Sequence, residues 1–245
     1  MSAPVTKNIG DSIFNVTVVI PCHNHGSFLE RSVDSVISQD YENTRVVIVN
    51  DGSSDNSAEV ALSLSKKHPN IELLSNEHPT GPSAARNLAI KHAWDTTDFF
   101  IMLDADDTYL PGKISKSVEI ISTDVQNIGV VYSDSLIENM SSNSVILEIR
   151  RPYSREEIEY ECILPNTSLV SKLALSRVGL YDEDMRTAED WDLWLRVTEH
   201  FVAVHIPEPL SKHSITGFNS SDIVSSDVWN RNWNKIRERI AGQHG

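Results

Sequence analysis

The chain has 245 residues, 40% of them hydrophobic and 23% charged, with a formal net charge of −14. A chain of this length can bury a sizeable core as one large domain or two small ones. The negative charge argues against non-specific binding of nucleic acids through a broad basic face. An anionic ligand would therefore need a local arginine, a helix N-terminus or a metal cation to hold it.

The sequence carries no signal for export or membrane insertion. No apolar stretch reaches the length of a membrane span, and residues 1–12 lack the apolar core of a signal peptide. Cys22 and Cys162 lie far apart, which does not fit a disulfide framework or a zinc-knuckle spacing. We therefore expect a cytoplasmic protein with two plain thiols.

Strand-like and helix-like segments alternate through the first half of the chain. Short apolar or β-branched runs predict buried strands, and apolar residues at helical spacing predict amphipathic helices. The predicted strands are 15–20, 45–49, 71–74 and 99–103, and the predicted helices between them are 27–39, 57–67 and 81–94. This rhythm favours a parallel sheet with right-handed crossovers.

The second half loses this rhythm. Its predicted elements are strands at 128–134 and 142–149, a charged loop or surface helix at 150–161, a strand and short helix at 166–179, a helix at 189–200, a strand at 202–213 and a helix at 226–240. We expect the first two strands to pair as a hairpin, and Pro207 and Pro209 to break the last strand. No linker separates two folding units, so a single domain is expected.

Polar residues follow three of the predicted parallel strands. They are PCHNHGS at 21–27, NDGSSDNS at 50–57 and DADDTYLP at 104–111. Ligands of open α/β sheets bind beyond the carboxyl ends of the strands, so all three segments should line one crevice.

Two residues of this crevice have both a structural and a functional interpretation. Asp51 precedes Gly52, which is typical of a turn, but its carboxylate would also suit a hydrogen bond from a ligand N–H. Arg86 falls in the first turns of its predicted helix, where a cation opposes the helix dipole. It is either a solvated surface arginine or a neighbour of an anionic or nucleobase ligand.

Asp104 and Asp106 form an Asp-x-Asp pair at the end of a buried apolar strand. Mg²⁺ and Mn²⁺ prefer oxygen ligands, and typically take one or two carboxylates together with substrate phosphates. A cation would relieve the repulsion among these carboxylates and bridge an acidic protein to a diphosphate. The alternative is a solvated loop in which Asp107 caps the next helix.

Asp190 shares a predicted helix face with Leu193, Trp194 and Val197, while Glu189, Asp192 and Arg196 fall on another face. The apolar face should be buried, so the Asp190 carboxylate should look inward, where it would suit a general base. The alternative is a capping box, with Thr187 as N-cap and Asp190 three residues on.

Taken in order, these segments resemble the family 2 glycosyltransferases, whose members have the GT-A fold. The resemblance covers 15–215 and is carried by VTVVIPCHN, VVIVNDGSSDNS, GPSAARNLAI, FIMLDADDTYLPGKI, VGLYDEDMRTAEDWDLWLRV and IPEPLSKH. It implies an α/β single domain with a mostly parallel central sheet flanked by helices. It also implies an N-terminal extension (1–14), a nucleotide-sugar half (15–110), an acceptor half (111–215) and a C-terminal helix or tail (216–245).

The resemblance implies donor-binding roles for the first half. Pro21 and His23 would line the nucleobase pocket, although the family often has Tyr where this chain has His23. Asp51 would bond the base, with uracil favoured, and Arg86 would support the same side. Asp104 would contact the donor and, with Asp106, hold the metal.

The resemblance also implies the reacting groups and the reaction. Asp190 would deprotonate the acceptor hydroxyl, and His213 would supply a further metal or diphosphate contact. The metal would be Mn²⁺ or Mg²⁺, and the donor a nucleotide-sugar, with UDP favoured as the carrier. The reaction would be inverting transfer of one sugar to a hydroxyl of a glycan, a lipid-linked acceptor or another acceptor, in polysaccharide or glycoconjugate synthesis.

Two other functions fit parts of the sequence. The segment DADDT also matches the Asp-x-Asp-x-Thr signature of haloacid-dehalogenase-type phosphatases, with Asp104 as nucleophile, but those enzymes place it after the first strand of the core. A sugar-nucleotide-binding protein without activity is the non-enzymatic alternative.

The C-terminal helix at 226–240 carries Trp229 and Trp233 among basic residues. We interpret the tryptophans as core packing. Docking of this helix on the inner face of a membrane or on a second copy of the chain is the alternative.

Overall fold

Helices connect the first four strands of the fold, and these strands are parallel. The computed structural model describes residues 13–217 and 224–243. The elements of the first half are β1 (Val16–Cys22), α1 (Gly26–Ile37), β2 (Thr44–Asp51), α2 (Ser57–Lys67), β3 (Ile71–Asn76), α3 (Pro82–Ala93), a 3₁₀ turn (Trp94–Thr96) and β4 (Phe99–Met102). Each predicted element of this half is present, with bounds shifted by a few residues at most.

The apolar runs make these strands the centre of the molecule, since both faces are covered. Successive residues of a strand point to opposite faces, so Val18 joins the core beneath α1 and α2, whereas Val19 joins the core beneath α3. Both side chains are fully buried. This burial on both faces explains why the strands read as continuous apolar runs and not as alternating patterns.

The second half adds strands in both directions. Its elements are β5 (Thr108–Tyr109), α4 (Lys113–Ile121), β6 (Ile128–Asn139), β7 (Ser144–Glu148), α5 (Arg155–Tyr160), β8 (Leu169–Ser171), α6 (Lys172–Val178), α7 (Glu189–Val197), β9 (Val202–Ile215) and α8 (Ser226–Gln243). In the described residues the strand order is β3-β2-β1-β4-β8-β6-β9-β5, and β7 pairs with β6. The sheet is parallel from β3 to β4, as predicted, and mixed beyond it.

The hairpin predicted from 128–134 and 142–149 is confirmed, because β6 and β7 pair from Ser135↔Glu148 to Asn139↔Ser144. The predicted break at Pro207 and Pro209 is wrong. β9 runs through both prolines and pairs with β6, with register shifts around Asp134. Pro207 falls at a register shift, where a residue outside the ladder needs no backbone N–H donor, whereas Pro209 is paired with Asp134.

α8 packs against the domain through α7. The Trp191 and Trp233 rings meet edge to face, with centroids 5.0 Å apart, and the Arg239 guanidinium binds the fully buried Asp192 carboxylate. Trp233 nevertheless stays 38% exposed and the partly buried Trp229 lines the cavity described below, so the core-packing interpretation of the two tryptophans holds only in part. Within the described residues no helix combines the length and apolarity needed to cross a bilayer.

Cys22 and Cys162 are both free thiols, as expected. Residues 1–12 of the predicted N-terminal extension, and residues 218–223 and 244–245 of the predicted tail, lie outside the described residues.

Candidate active site

The three polar strand ends meet at one cavity of about 1120 Å³. The second half of the chain closes its other side. All eight residues predicted for the site line this cavity: Pro21, His23, Asp51, Arg86, Asp104, Asp106, Asp190 and His213. The topology therefore brings together groups that lie up to 192 positions apart in the chain.

Asp51, at the end of β2, fixes the loop that leads into α3. Its carboxylate accepts hydrogen bonds from the backbone N–H groups of Thr80 and Gly81 and from the side chains of Asn76 and Thr80, at 2.7–3.0 Å. Burial opposes ionisation, but these hydrogen bonds hold the pKa of Asp51 below its usual value. A ligand N–H would share an oxygen that already accepts protein hydrogen bonds, so the role of Asp51 in base recognition stays a prediction.

His23 lies beside Asp51 at the same edge. Its Nδ1 donates to the Asp51 carbonyl oxygen at 2.7 Å, which fixes the ring beside Pro21 at the cavity wall. The imidazole is therefore held in place by the end of the neighbouring strand.

Arg86 is buried, with 3% of its surface exposed, so the solvated-surface interpretation is wrong. Its guanidinium donates to Glu189 Oε1 at 2.6 Å and to Asp104 Oδ1 at 2.7 Å, and stacks over the Tyr181 ring at 5.5 Å. Burial lowers the pKa of Arg86, but the charges of Asp104 and Glu189 outweigh this effect. The net pKa is raised, and the side chain stays charged. Its contacts join the Asp-x-Asp turn to α7, and a contact with a nucleobase stays a prediction.

The Asp-x-Asp segment is a tight turn, in which the Asp107 N–H donates to the Asp104 carbonyl oxygen at 3.0 Å. Asp104 Oδ1 also accepts from Asn166 at 3.2 Å. Although burial opposes it, the Arg86 guanidinium lowers the pKa of the Asp104 carboxyl. Asp104 is therefore held as a carboxylate by protein donors on one side.

Asp107 does not cap the next helix, which corrects the capping alternative. α4 begins after Gly112, whereas the Asp107 carboxylate accepts from the Ser214 N–H at 2.8 Å and from His213 Nδ1 at 3.1 Å. The hydrogen bond with Asp107 raises the pKa of His213 to about 9. A protonated imidazole suits an anion better than a metal ion, so of the two contacts predicted for His213 the diphosphate contact has the better chemistry.

Asp106 is 5% exposed, and burial, followed by the Asp107 and Asp104 charges, raises its pKa to about 7. His25 Nε2 lies 3.6 Å from its Oδ2. In the ranges 13–217 and 224–243 no three His, Cys, Asp or Glu side chains form a ready-made metal cluster. The crowded carboxylates fit a cation that takes few protein ligands and completes its shell with substrate phosphates and water.

α7 begins with a strained residue. Ala188, its N-cap, has φ 57°, a left-handed conformation that costs a residue with a side chain about 1–2 kcal/mol. The predicted capping box is absent from this helix start, since no side chain caps α7 and the Thr187 hydroxyl accepts from Asn232 instead. This turn directs both Glu189 and Asp190 toward the cavity.

Asp190 accepts a hydrogen bond from the Trp191 N–H at 2.8 Å. Burial first, and then the neighbouring Glu189 charge, raise the pKa of the Asp190 carboxyl to about 7. Such a carboxyl can accept a proton near neutral pH.

The face that Glu189 and Asp192 were predicted to share is also buried, at 9% and 0% exposure. Sequence reasoning missed Glu189 as a partner of Arg86, and Asn166 as a partner of Asp104. The only local signal for Glu189 was its place beside Asp190.

Residues 17–171 match the family model described as Glycosyl transferase family 2. This match spans more than half of the chain. The chain belongs to glycosyl transferase family 2.

Sequence relatives agree with this family. An uncharacterized glycosyltransferase of Rickettsia prowazekii is 29% identical over 74% of this chain and 58% of its own length. The Escherichia coli UDP-Glc:alpha-D-GlcNAc-diphosphoundecaprenol beta-1,3-glucosyltransferase WfgD is 29% identical over 74% of this chain and 69% of its own length. The family 2 chain thus spans little more than half of the Rickettsia relative.

Solved structures confirm the GT-A fold. Staphylococcus aureus TarS 1–349 in complex with UDP has a TM-score of 0.70 at 18% identity, over 92% of this chain and 65% of TarS. The mannosyltransferase PcManGT from Pyrobaculum calidifontis, in complex with GDP-Man and Mn²⁺, has a TM-score of 0.67 at 19% identity, over 86% of this chain and 59% of its own.

Proposed function

We propose that this family 2 chain is an inverting, metal-dependent glycosyltransferase that moves one sugar from a nucleotide-sugar to an acceptor hydroxyl. The observation that carries the proposal is the position of Asp190. It is a carboxyl with a pKa near 7 that opens on the same cavity as the Asp-x-Asp turn.

The chemistry assigned to the protein is proton transfer and orientation. Asp190 accepts the proton of the acceptor hydroxyl. At the same time the hydroxyl oxygen attacks the sugar carbon from the face opposite the leaving group. A base with a pKa close to the working pH is the efficient choice, and such assistance typically contributes ~10²–10⁴-fold. A single displacement of this kind inverts the configuration at that carbon.

Asp106, with Asp104 beside it, would hold Mn²⁺ or Mg²⁺. When bound, the ion supplies Lewis-acid stabilisation of the departing diphosphate. His213, protonated by its contact with Asp107, faces the same cavity and adds a second positive charge for this leaving group.

A UDP-sugar is the favoured donor. Structures of TarS are described in complex with UDP and with UDP-GlcNAc, and WfgD is named for UDP-Glc, whereas PcManGT is described with GDP-Man. Pro21, His23 and Asp51 form the end of the cavity proposed for the base.

The acceptor enters from the second half of the chain, whose residues 135–167 contribute the opposite wall. We propose a glycan or lipid-linked acceptor in polysaccharide or glycoconjugate synthesis. WfgD, whose name describes a diphosphoundecaprenol acceptor, is the relative that favours this class.

A thermal-shift screen of UDP-, GDP- and dTDP-sugars with and without Mn²⁺ tests the donor class, because a ligand that binds the native state raises the unfolding temperature. Release of the nucleoside diphosphate from the best donor then tests catalysis. Donor binding without release, with any acceptor class offered, would favour the inactive binding protein.

The phosphatase alternative is tested with p-nitrophenyl phosphate and Mg²⁺. Asp104 Oδ1 accepts hydrogen bonds from Arg86 and Asn166, which argues against Asp104 as a nucleophile.

A further inference from the structure

The cavity is strongly acidic for a site that is to hold a diphosphate. Among the residues that the structure describes, seven carboxyl side chains and three arginines line it. Two of the arginines are already paired: Arg86 with Asp104 and Glu189, and Arg150 with Glu148 at 2.6 Å. The positive charges of Arg86 and Arg150 therefore mainly neutralise carboxylates of the cavity wall.

The third arginine, Arg186, is different. It is exposed, and within 13–217 and 224–243 it has no hydrogen-bond or ion-pair partner. Its guanidinium rests on the backbone of Gly81: a Cβ added to Gly81 would lie 2.4 Å from Arg186 Nη1. Gly81 also has φ +98°, so glycine is favoured here both for its backbone conformation and for the close approach of Arg186.

This contact places Arg186 beside the end of the cavity that is proposed for the nucleobase. Gly81 donates its N–H to Asp51, at the end proposed for the nucleobase. Arg186 itself lies four residues before Asp190 on the same segment, and both residues line the cavity. In a nucleotide-sugar, the diphosphate is the part that lies between the nucleoside and the reacting sugar carbon.

We propose that Arg186 binds the diphosphate of the donor and makes the site selective for nucleoside diphosphates over nucleosides. The inference rests on the proposed function and names a residue that acts in it. A guanidinium presents paired N–H donors that match phosphate oxygens, and it needs no metal to do so.

Isothermal titration of UDP and of uridine, each with Mn²⁺ and with EDTA, tests the proposal on four proteins. These are the wild type, Arg186→Ala, Arg186→Lys and the control Arg177→Ala, which removes another exposed arginine, on α6 and outside the cavity. A hydrogen bond to a charged group is worth about 1.5–3 kcal/mol, so we expect Arg186→Ala to weaken UDP binding about 10- to 100-fold. Uridine binding should change by less than about twofold, Arg186→Lys should be intermediate, and Arg177→Ala should match the wild type.

The loss should persist in EDTA, because Arg186 acts on the phosphates directly. Unchanged UDP binding by Arg186→Ala would overturn the proposal, and so would an equal weakening of UDP and uridine, which would mean that Arg186 only shapes the loop at Gly81. A wild-type protein that does not bind UDP would overturn the proposed UDP donor and this inference together. Circular dichroism of each variant confirms that it is folded.

Discussion

Asp106 is buried and Asp190 is partly buried, and the pKa values of both carboxyls rise to about 7. Burial is the largest cause for both, and Glu189 adds to it at Asp190, whereas Asp107 and Asp104 add to it at Asp106. The proposed base and the proposed cation ligand thus owe their raised pKa values first to burial and then to an acidic neighbour.

Replacing Asp190 with Asn should lower kcat by ~10²–10⁴-fold, because the acceptor loses its base. The affinity for UDP with Mn²⁺ should stay within about twofold of the wild type, since the variant keeps a side chain of the same shape. Turnover with the best donor, together with titration of UDP, measures both quantities. The control is Asp95→Asn, an exposed aspartate on the 3₁₀ turn, and normal turnover of Asp190→Asn would remove Asp190 from the mechanism.

Asp106 should make the metal-free protein less stable at high pH. Its pKa is raised in the folded state, so the carboxyl favours folding below its unfolded pKa of 3.8, and this advantage is lost as the pH rises through about 7. Asp106→Asn should therefore raise the Tm at pH 8 and change it little near pH 4. One pKa unit is worth about 1.4 kcal/mol, and each kcal/mol is about 2–4 °C in a domain of this size.

Mn²⁺ supplies the matched test of the same residue. It should raise the Tm of the wild type at pH 8 and leave Asp106→Asn nearly unchanged. Equal stabilisation of both proteins by Mn²⁺ would show that Asp106 does not hold the ion.

At the scale of the elements, α3 and α7 carry the polar groups that organise the site. Ser83, Arg86 and Asn87 share one face of α3 by helical spacing. Ser83 and Asn87 bond to the segment that leads into α7, and Arg86 bonds to Glu189, the first residue of α7. α7 is fixed in turn by α8, because Asp192 accepts from both Arg196 and Arg239. The start of α7, where Asp190 lies, is therefore supported from two helices.

Asp192→Ala should destabilise the protein by about 3–5 kcal/mol, since it leaves two arginines without the buried carboxylate that they share. Urea unfolding of the variant measures this loss. Asp184→Ala, at an aspartate whose side chain is 90% exposed, should change the stability by about 0.5 kcal/mol or less. A comparable loss in the two variants would mean that α8 is not anchored through Asp192.

How far the elements could be read from the sequence depends on the range of the interactions that make them. β1 to β4 were predictable because each is a local apolar run covered on both faces. β8 has three residues, and its direction is set by pairing with β4 and β6, which no local pattern encodes. The site residues were predictable at strand ends and in the Glu-Asp pair, whereas the Arg86–Glu189 bond spans 103 positions and left no local signal.

At the scale of the whole molecule, Arg86 joins the two predicted halves of the domain. It lies in the predicted nucleotide-sugar half and binds Glu189 in the acceptor half, while Asn166 of the acceptor half returns a hydrogen bond to Asp104. The two halves therefore share one polar network beneath the cavity.

Arg86→Met should cost about 3–5 kcal/mol, because it leaves Asp104 and Glu189 without their buried cation. The double variant Arg86→Met with Glu189→Leu should recover part of this loss, and the double-mutant cycle gives the coupling energy. Denaturant unfolding of the four proteins measures it, with Arg177→Met as the control for loss of an arginine. A strictly additive cycle would contradict the link between the halves.

Because one guanidinium serves both Asp104 and Glu189, the two carboxylates compete for it. A positive ligand charge beside Asp104 would weaken the attraction between Asp104 and Arg86. Arg86 would then neutralise the Glu189 carboxylate more completely, and Glu189 would raise the pKa of Asp190 less. Donor loading and proton release from Asp190 then favour each other, and by reciprocity a deprotonated Asp190 binds the loaded donor more tightly. The network would thus couple donor binding to deprotonation of Asp190, so that the proposed base is ionised when the sugar to be transferred is bound.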